Sequence, residues 1–299
     1  MFMTAHSRGR PIATYCDIIN IIHQLRNGLH RETIREQLQK DFAVSGFDSD
    51  SSNSGYEDDD DVWDDLVDLA VRLWVMIPVG GFRQISNPGT SLEWISWSLQ
   101  ETLRQRFQKQ VSLKESVKLE KMFNATGLER IGGLRIIWTS NLLDHLRMQD
   151  DDTRVSIFHH ASFLHLHRDT NVFPAGFVEE TLQTLALLLP RHDKRVKKWY
   201  TRQSRLFKLD PSAAKGGPLN TQNRQIEKFE YWHDRLVILK EVFDDAEPGT
   251  ILQWWEDRRK RVQWYTFWVA ALVLGLTVFF GILQSVEGFL QVWKAYHPS

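Results

Sequence analysis

The sequence predicts a mainly α-helical protein, with a cytosolic helical domain that holds one candidate small β-hairpin, and with one C-terminal transmembrane helix. Two observations predict this class. Apolar residues recur at spacings of three and four along most of the chain, which is the period of an amphipathic helix. One twenty-residue segment near the C-terminus contains neither a charged residue nor a proline. With 42% hydrophobic residues, the chain has ample material for a folded core.

Changes in composition along the chain predict seven segments. They are an N-terminal helical hairpin at 1–46, an acidic disordered linker at 47–62, a helical cytosolic domain with short strands at 63–200, a basic linker rich in glycine and proline at 201–224, a helical juxtamembrane segment at 225–262, the transmembrane helix at 263–286 and a short amphipathic tail at 287–299. The single cysteine, Cys16, leaves no internal disulfide to expect and agrees with a reducing compartment.

The N-terminal hairpin follows from two apolar stripes, at residues 12–26 and 30–40, that Gly28 interrupts. A hairpin of this size is too small to be stable alone, so we expect it to pack on the later domain or on another chain. The acidic segment FDSDSSNSGYEDDDD at 47–61 has almost nothing to bury, and this predicts disorder. It is a linker or a phosphorylation segment.

Five further helices are predicted before the membrane span. They are Asp64 to Ile77, Ser91 to Lys109 with Ser91 as its cap, Leu113 to Phe123, Phe177 to Leu189, and Gln225 to Phe243. Two segments, Ile131 to Trp138 and Val155 to Leu166, are short and β-rich, and they predict a small hairpin or two short strands.

The predicted span is the segment from Trp264 to Leu283. At about 1.5 Å per residue its twenty positions cover roughly 30 Å, the thickness of the hydrocarbon core of a bilayer. Eleven of the twenty are Leu, Ile, Val or Phe, so insertion should be spontaneous. We expect four aromatic residues to anchor the helix in the bilayer: Trp264, Trp268, Phe279 and Phe280.

The orientation of the span follows from its basic flank. Four juxtamembrane cations precede it, namely Arg258, Arg259, Lys260 and Arg261, whereas the tail carries only Lys294 and Glu287. This asymmetry predicts a single-pass, tail-anchored protein whose N-terminal bulk is cytosolic, without indicating which membrane. The glycosylation sequon at Asn124 would be usable only in the opposite orientation.

Motifs of the common catalytic classes do not occur in the sequence: there is no GxxxxGK[ST], GxGxxG, GxSxG, HExxH or CxxC. The segment HHASFLHLH offers weak metal-ligand candidates in His160, His165 and His167, the last two on one face if the segment is a strand. The favoured interpretation is a histidine-rich strand without metal, because no cysteine completes the site. No cofactor is predicted.

An enzyme with an unfamiliar site would place it at this histidine segment together with Asp144, His145 and Asp150. The acidic run at 150–152 could supply oxygen ligands to a metal, but a solvated turn explains it more simply.

The segment from Arg191 to Lys208 carries eight basic residues with Trp199, Tyr200 and Phe207 among them. This composition is typical of contact with nucleic acid or with anionic lipid. In a membrane-tethered protein each cation near the bilayer gains about 1 kcal/mol from anionic lipid, which favours lipid. A third alternative is an internal pairing with the acidic run at 57–61.

Several strings are similar to a recurrent set in uncharacterised single-pass membrane proteins of filamentous fungi: WTSNLLDHL, DDDTRVSIFHHASFL, EETLQTLALLLP, YWHDRLVILKEVFDDAEP and WWEDRRKRVQWYTFWVAALVLGLTVFFG. The resemblance covers most of residues 62–296. It implies architecture alone, because the family has no established activity and therefore no catalytic residues to carry over. Magnesium channels of the CorA kind also place a helical cytosolic region before C-terminal spans. They need two spans and a GMN loop, and neither occurs in this sequence.

The first functional hypothesis is a non-enzymatic, membrane-tethered interaction or regulatory protein. Its partners would be membrane lipid and another protein, or a second copy of the chain, rather than nucleic acid. The alternatives are a metal-dependent enzyme with an unfamiliar His/Asp site, or an accessory protein of a specialised-metabolism pathway.

Overall fold

A computed structural model describes residues 14–44, 57–80, 89–95, 97–110, 117–246 and 261–296. Within these ranges it contains ten α-helices and one three-stranded sheet, which confirms the mainly α fold class. The helices are α1 (Tyr15–Arg26), α2 (Arg31–Val44), α3 (Glu57–Val75), α4 (Leu99–Arg106), α5 (Ala125–Arg130), α6 (Ala161–His167), α7 (Phe177–Leu188), α8 (Lys194–Phe207), α9 (His233–Asp245) and α10 (Arg261–Tyr296). The strands are β1 (Arg135–Thr139), β2 (Met148–Gln149) and β3 (Arg154–Phe158).

The N-terminal hairpin is formed by α1 and α2, and both helices pack on α3. The cap of α1 is Thr14, whose hydroxyl oxygen accepts a hydrogen bond from the Asp17 N–H while the Asp17 carboxylate accepts one from the Thr14 N–H. Arg31 at the start of α2 pairs with Asp68 of α3 at 2.7 Å. The hairpin was expected to pack either on the later domain or on another chain, and the structure shows packing on the later domain.

Helix α3 begins at Glu57, so the acidic residues 57–61 lie in the helix and the predicted linker, which was to extend to residue 62, ends earlier. Acidic residues are favourable there because the N-terminal end of a helix carries partial positive charge. Residues 45–56 lie outside the described ranges. Helix α3 buries Val67 and Val71 fully, whereas Leu69 and Leu73 are 43% and 58% exposed.

The predicted helix from Ser91 to Lys109 is shorter. It begins at the cap Ser98, whose hydroxyl oxygen accepts from the Glu101 N–H at 3.3 Å, because Leu92 is held in a bridge to Val79. The predicted helix from Leu113 to Phe123 is wrong for its described part, since residues 117–124 are extended or turn and Lys118 bridges to Gln225.

Both predicted strands are present, but they do not form a hairpin with each other. β1 and β3 are parallel, in register from Arg135 opposite Arg154 to Thr139 opposite Phe158. The hairpin is instead made by β2 and β3, which are antiparallel and give the sheet order β1-β3-β2. Its turn is residues 150–152, each with a positive φ between 48° and 61°, so the favoured interpretation of this acidic run as a turn is confirmed.

One buried apolar cluster extends from Ile21 to Phe243 and includes residues of every helix from α1 to α9. Helix α7 lies within it and ends at Leu188, one residue before the predicted end. Helix α9 begins at His233, later than predicted, because residues 226–228 form a separate 3-10 turn.

Residues 201–224, predicted to be a linker, are packed against the rest of the domain. Helix α8 continues through residue 200 to Phe207, and 3-10 turns follow at Pro211–Lys215 and Gln222–Arg224. Leu209 and Ala213 are buried, and the Arg224 guanidinium donates to the Leu119 carbonyl at 3.1 Å. The composition of residues 201–224 resembled that of a linker because the buried apolar residues are separated by turn residues.

Helix α10 is one uninterrupted helix of 36 residues. Its segment Tyr265–Trp293 has a mean hydropathy of 2.3 and no buried residue in its most apolar window, so it is long and apolar enough to span a membrane. The helix continues without interruption from the predicted span at 263–286 into the predicted tail, as far as Tyr296, and no proline lies within it. Residues 247–260 and 297–299 lie outside the described ranges.

Candidate functional site

The histidine segment is a strand end followed by a helix, so the expectation that His165 and His167 share a face of a strand is wrong. β3 ends at Phe158, and α6 occupies Ala161–His167. Residues two apart on a helix point about 200° apart. His165 is exposed, while His167 is buried.

The three metal-ligand candidates therefore do not converge. His167 packs against the ring of Phe163, with 4.5 Å between ring centroids, and its Nδ1 lies 3.2 Å from the Thr170 hydroxyl. His160 lies at the opposite end of α6, next to β1. Within the described ranges, no three His, Cys, Asp or Glu side chains are grouped as a metal site requires.

His145, from the second enzyme hypothesis, is completely buried and serves the core. Its Nδ1 accepts from the Phe158 N–H at 3.2 Å, so its Nε2 carries the proton and donates to the Thr184 hydroxyl at 2.7 Å. Burial and the nearby Arg235 lower the pKa of His145 to about 3. The ring is held neutral in one tautomer, which is the state of a structural histidine.

The other two residues of that hypothesis point away from His145. The Asp144 carboxylate pairs with Arg147 at 3.3 Å and accepts from the Asn141 amide at 3.0 Å. Asp150 lies in the β2–β3 turn and pairs with Arg154 at 2.7 Å. The structure does not bring these three side chains together.

A polar cluster lies where the parallel strands β1 and β3 end. The Ser140 hydroxyl, directly after β1, is 2.9 Å from His160 Nε2. The His160 ring packs against the ring of His159 with 3.9 Å between centroids. The parallel pairing explains the contact, because it brings the carboxyl ends of both strands to the same edge.

Asp210 ties this cluster to the segment after α8. Its carboxylate accepts from the Ser162 N–H at 2.6 Å, the Ser162 hydroxyl at 3.0 Å and the Ser212 N–H at 2.8 Å. Its own N–H donates to His159 Nδ1 at 3.3 Å, and its carbonyl accepts from the Tyr200 hydroxyl at 2.7 Å. Asp210 thereby joins three elements: the end of β3, α6 and α8.

The protonation states in the cluster follow from this geometry. Burial, together with the neighbouring His160, lowers the pKa of His159 to about 4. Burial also lowers the pKa of His160. For Asp210 burial would raise the pKa, but the hydrogen bonds from Ser162 and Ser212 outweigh it and lower the pKa. At neutral pH the cluster holds two neutral imidazoles and one carboxylate.

A serine hydroxyl next to a neutral imidazole has the geometry of a nucleophile and its base. Catalysis by such a pair also needs a group that orients the base and donors for an oxyanion. Among the described residues, no carboxylate is hydrogen-bonded to the other nitrogen of His160, and the Ser162 N–H is already bonded to Asp210. The arrangement therefore supports a structural role in joining strand ends to α8.

Sequence reasoning missed the contact of Ser140 with His160 and the role of Asp210. A signal for the first existed, since Ser140 follows the first β-rich segment and His160 lies within the second, but it required the strands to be parallel. No local signal pointed to Asp210, which lies 48 residues from Ser162 in the chain.

The other candidate functional surface is the solvent-facing side of α8. We define the cationic face as the five exposed basic residues that line it: Lys194, Lys197, Lys198, Arg202 and Arg205. The opposite side of α8 carries Val196 and Tyr200, which are buried. The helix is capped by the Asp193 carboxylate, which accepts from the Arg195 N–H at 2.8 Å.

The residues predicted to face the membrane are only partly described. Phe279 and Phe280 are 55% and 56% exposed on α10, and Trp268 lies nearer its start at intermediate exposure. Trp264 and Arg261 belong to the first turn of α10, where only the backbone is described. The other juxtamembrane cations, Arg258, Arg259 and Lys260, lie outside the described ranges.

Comparisons with protein-family models, curated proteins and solved structures find no match to this chain, so the resemblance to the fungal membrane proteins rests on the sequence strings alone.

Proposed function

We propose that the chain is a membrane-tethered interaction or regulatory protein, with α10 as a single-pass anchor and the N-terminal bulk in the cytosol. One observation carries the proposal: the apolar segment Tyr265–Trp293 has no buried residue in its most apolar window, although the remaining helices bury their apolar sides in one core. Exposed apolar area of this extent is stable in lipid rather than in water.

The interaction role is supported by what the polar residues of the domain do. His145, His159 and Asp210 are used in hydrogen bonds that hold elements together. The side chains left facing solvent in a coherent pattern are cations on α8, which suit binding rather than chemistry. The partners proposed are membrane lipid and a second protein or a second copy of this chain.

Membrane insertion is tested by introducing charge into α10 of the full-length chain. Leu274→Arg with Phe279→Arg should cost about 5–7 kcal/mol of insertion free energy, because each central arginine costs roughly 2.5–3.5 kcal/mol. The wild-type chain should stay in the pellet when microsomes are washed with carbonate, and the double variant should move to the supernatant.

A matched control places the same charges on an exposed apolar pair elsewhere. Leu69→Arg with Leu73→Arg, on α3, should leave carbonate resistance unchanged. If both double variants remain in the pellet, α10 is not the anchor.

Orientation is tested by protease added to sealed microsomes, which should destroy the domain and spare a C-terminal fragment. Asn124 is a poor reporter of orientation, since it is 5% exposed and its side-chain oxygen accepts from the Gly127 N–H as the cap of α5. A glycosylation sequon appended after Ser299 is a better reporter and should be glycosylated. Glycosylation failing there, with the domain protected from protease, would show the reverse orientation.

Partners are tested by proximity labelling from the intact protein. Two differently tagged copies should label each other if the second partner is the chain itself. Labelling should depend on the folded domain. If the same membrane proteins are labelled with and without that domain, an interaction role is contradicted.

A further inference from the structure

The cationic face of α8 is a continuous stripe on one side of the helix. At 100° per residue its five cations fall within an arc of about 140°, and Thr201 lies within it. Val196 and Tyr200 fall outside this arc, on the buried side. The helix thus separates a charged side from a packed side.

These cations have no acidic partner in the described part of the chain. Some exposed cations elsewhere in the domain are paired, as in the contact of Arg154 with Asp150 at 2.7 Å and that of Lys109 with Glu230 at 2.5 Å. None of the five cations on α8 takes part in such a pair with a described residue. The face therefore presents concentrated, uncompensated positive charge.

The face is held in a fixed orientation on the domain. The Trp199 indole donates to the Glu129 carboxylate of α5 at 2.7 Å, and the Tyr200 hydroxyl donates to the Asp210 carbonyl. The charge pattern is therefore a property of the folded domain and not of a flexible segment.

One exposed apolar residue adjoins the cations at the C-terminal end of α8. Leu206 is 65% exposed and lies beside Arg202 and Arg205, and Lys208 follows with a φ of 53° that ends the helix. Phe207 is also exposed, but it lies about 150° from the centre of the cationic arc. Cations beside exposed apolar side chains are the combination found in helices that bind the interface of an anionic bilayer.

Nucleic acid fits this surface less well. Binding to single strands without sequence preference uses aromatic side chains as stacking platforms between the cations. Tyr200 is 3% exposed and Trp199 is packed against Trp138 with 6.0 Å between centroids, so both are turned away from the cationic face. Phe207, the third aromatic residue of the basic segment, is exposed but lies outside the arc of the cations, so no aromatic side chain stands between them.

We propose that the cationic face of α8 binds anionic lipid headgroups of the membrane that α10 anchors, with Leu206 entering the headgroup layer. The inference rests on the proposed tether, which keeps the domain within reach of the bilayer. It adds a second point of attachment, so that one side of the domain faces the membrane and the other faces the cytosol.

The test places a fluorescent reporter within the cationic face of the full-length protein. Cys16→Ser removes the single native cysteine, and Thr201→Cys supplies a labelling site. The labelled chain is reconstituted into vesicles of phosphatidylcholine alone or mixed with phosphatidylserine, each containing a headgroup-linked quencher. Quenching should be several-fold stronger in the anionic vesicles at low salt and should fall as salt screens the charges.

Two variants with the same change in net charge distinguish the effect of the cationic face on quenching from the effect of overall charge. Lys194→Glu with Lys198→Glu and Arg205→Glu should remove the difference between the two vesicle types. Three exposed cations of α1, α2 and α3 serve as the control, in the variant Arg26→Glu, Lys40→Glu and Arg72→Glu, which should preserve the difference.

Two results would overturn the proposal: equal quenching in both vesicle types, or an unaffected difference in the α8 variant. Equal quenching at a shielded reporter would indicate that an acidic protein segment, such as residues 57–61, covers the face. Carbonate resistance of the same samples reports on α10 separately. Loss of that resistance with salt-sensitive anionic quenching intact would refute the tether and leave the lipid-binding face standing.

Discussion

At the scale of single residues, the buried polar groups of this domain are held by partners that fix their charge. His145 is neutral because the Phe158 N–H occupies its Nδ1, and a protonated ring would set two N–H groups against each other. Glu180 is only 6% exposed, yet its carboxylate accepts from three successive backbone N–H groups at 230–232, at 2.7–2.8 Å. These contacts connect α7 to the start of α9.

The first prediction concerns the pH dependence that His145 gives to stability. Its pKa of about 3 in the folded state lies below the unfolded value of about 6.5, so the unfolded chain binds more protons between these limits. Its contribution is present above pH 6.5 and is lost at about 1.4 kcal/mol per pH unit as pH falls. His145→Gln should reduce the slope of unfolding free energy against pH by this amount, measured by urea unfolding in detergent micelles.

The exposed His165 provides the control for this slope. His165→Gln should leave the pH dependence of unfolding as in the wild type, because that side chain is exposed. A slope that is unchanged by His145→Gln would show that the buried ring is protonated in the folded state.

The second prediction concerns Glu180. Glu180→Gln replaces one acceptor oxygen by an amide that faces backbone N–H donors, and it should cost about 1.5–3 kcal/mol of unfolding free energy. Thermal unfolding followed by near-UV circular dichroism measures the loss. The neighbouring Glu179→Gln removes only a half-exposed contact with Arg168 and should change stability by less than about 0.5 kcal/mol. Equal losses in both variants would contradict the role assigned to Glu180.

At the scale of elements, the sequence predicted best where one period extended over many residues. The α7 and α9 patterns and the apolar part of α10 needed only local information, and their helices are present. Each β-rich segment contains a strand, although the second one continues into α6, and the parallel pairing depends on contacts between residues 135–139 and 154–158 that no local pattern specifies. Helix starts were misplaced where a bridge such as that of Leu92 with Val79 held the chain extended.

The candidate site was less predictable for the same reason. The basic composition of α8 was visible in the sequence, whereas no helix was predicted there. The sequence did not show which aromatic residues face solvent. Trp199 is held inward by Glu129, which is distant in sequence, and Tyr200 by Asp210, which lies beyond the end of the helix. The polar cluster of Ser140 and His160 required the strand pairing.

The third prediction tests how closely the segment after α8 approaches α7. A Cβ placed on Gly216 would lie 2.8 Å from the Cβ of Ala186, whereas a Cβ on Gly217 would meet nothing within 4 Å. Gly216→Ala should therefore cost about 1–3 kcal/mol by forcing the two elements apart. Gly217→Ala should be neutral or stabilise slightly, since it restricts the unfolded chain. Unfolding midpoints in urea compare the pair, and equal effects would mean that the approach is loose.

At the scale of the whole molecule, the N-terminal hairpin shares the core of the rest of the domain. Ile21 and Leu25 of α1 are fully buried and belong to the same apolar cluster as Phe243 of α9. We therefore expect residues 14–246 to unfold as one cooperative unit.

The fourth prediction follows from that shared core. Leu25→Ala should cost about 2–5 kcal/mol, and it should lower the unfolding midpoint of the entire domain rather than release α1 and α2 alone. Hydrogen exchange measures this, since amides in α7 and α9 should lose protection together with those of α1. Loss of protection confined to α1 and α2 would show that the hairpin is a separate unit.

The length of α10 has a consequence for its C-terminal end. The 29 residues of Tyr265–Trp293 measure about 43 Å, well beyond the roughly 30 Å of an average hydrocarbon core. The excess contains the charged residue Glu287, which is costly to place in hydrocarbon. If the most apolar part of the helix spans the bilayer, its last turns leave the hydrocarbon core and bring Phe289 and Trp293 to the level of the headgroups.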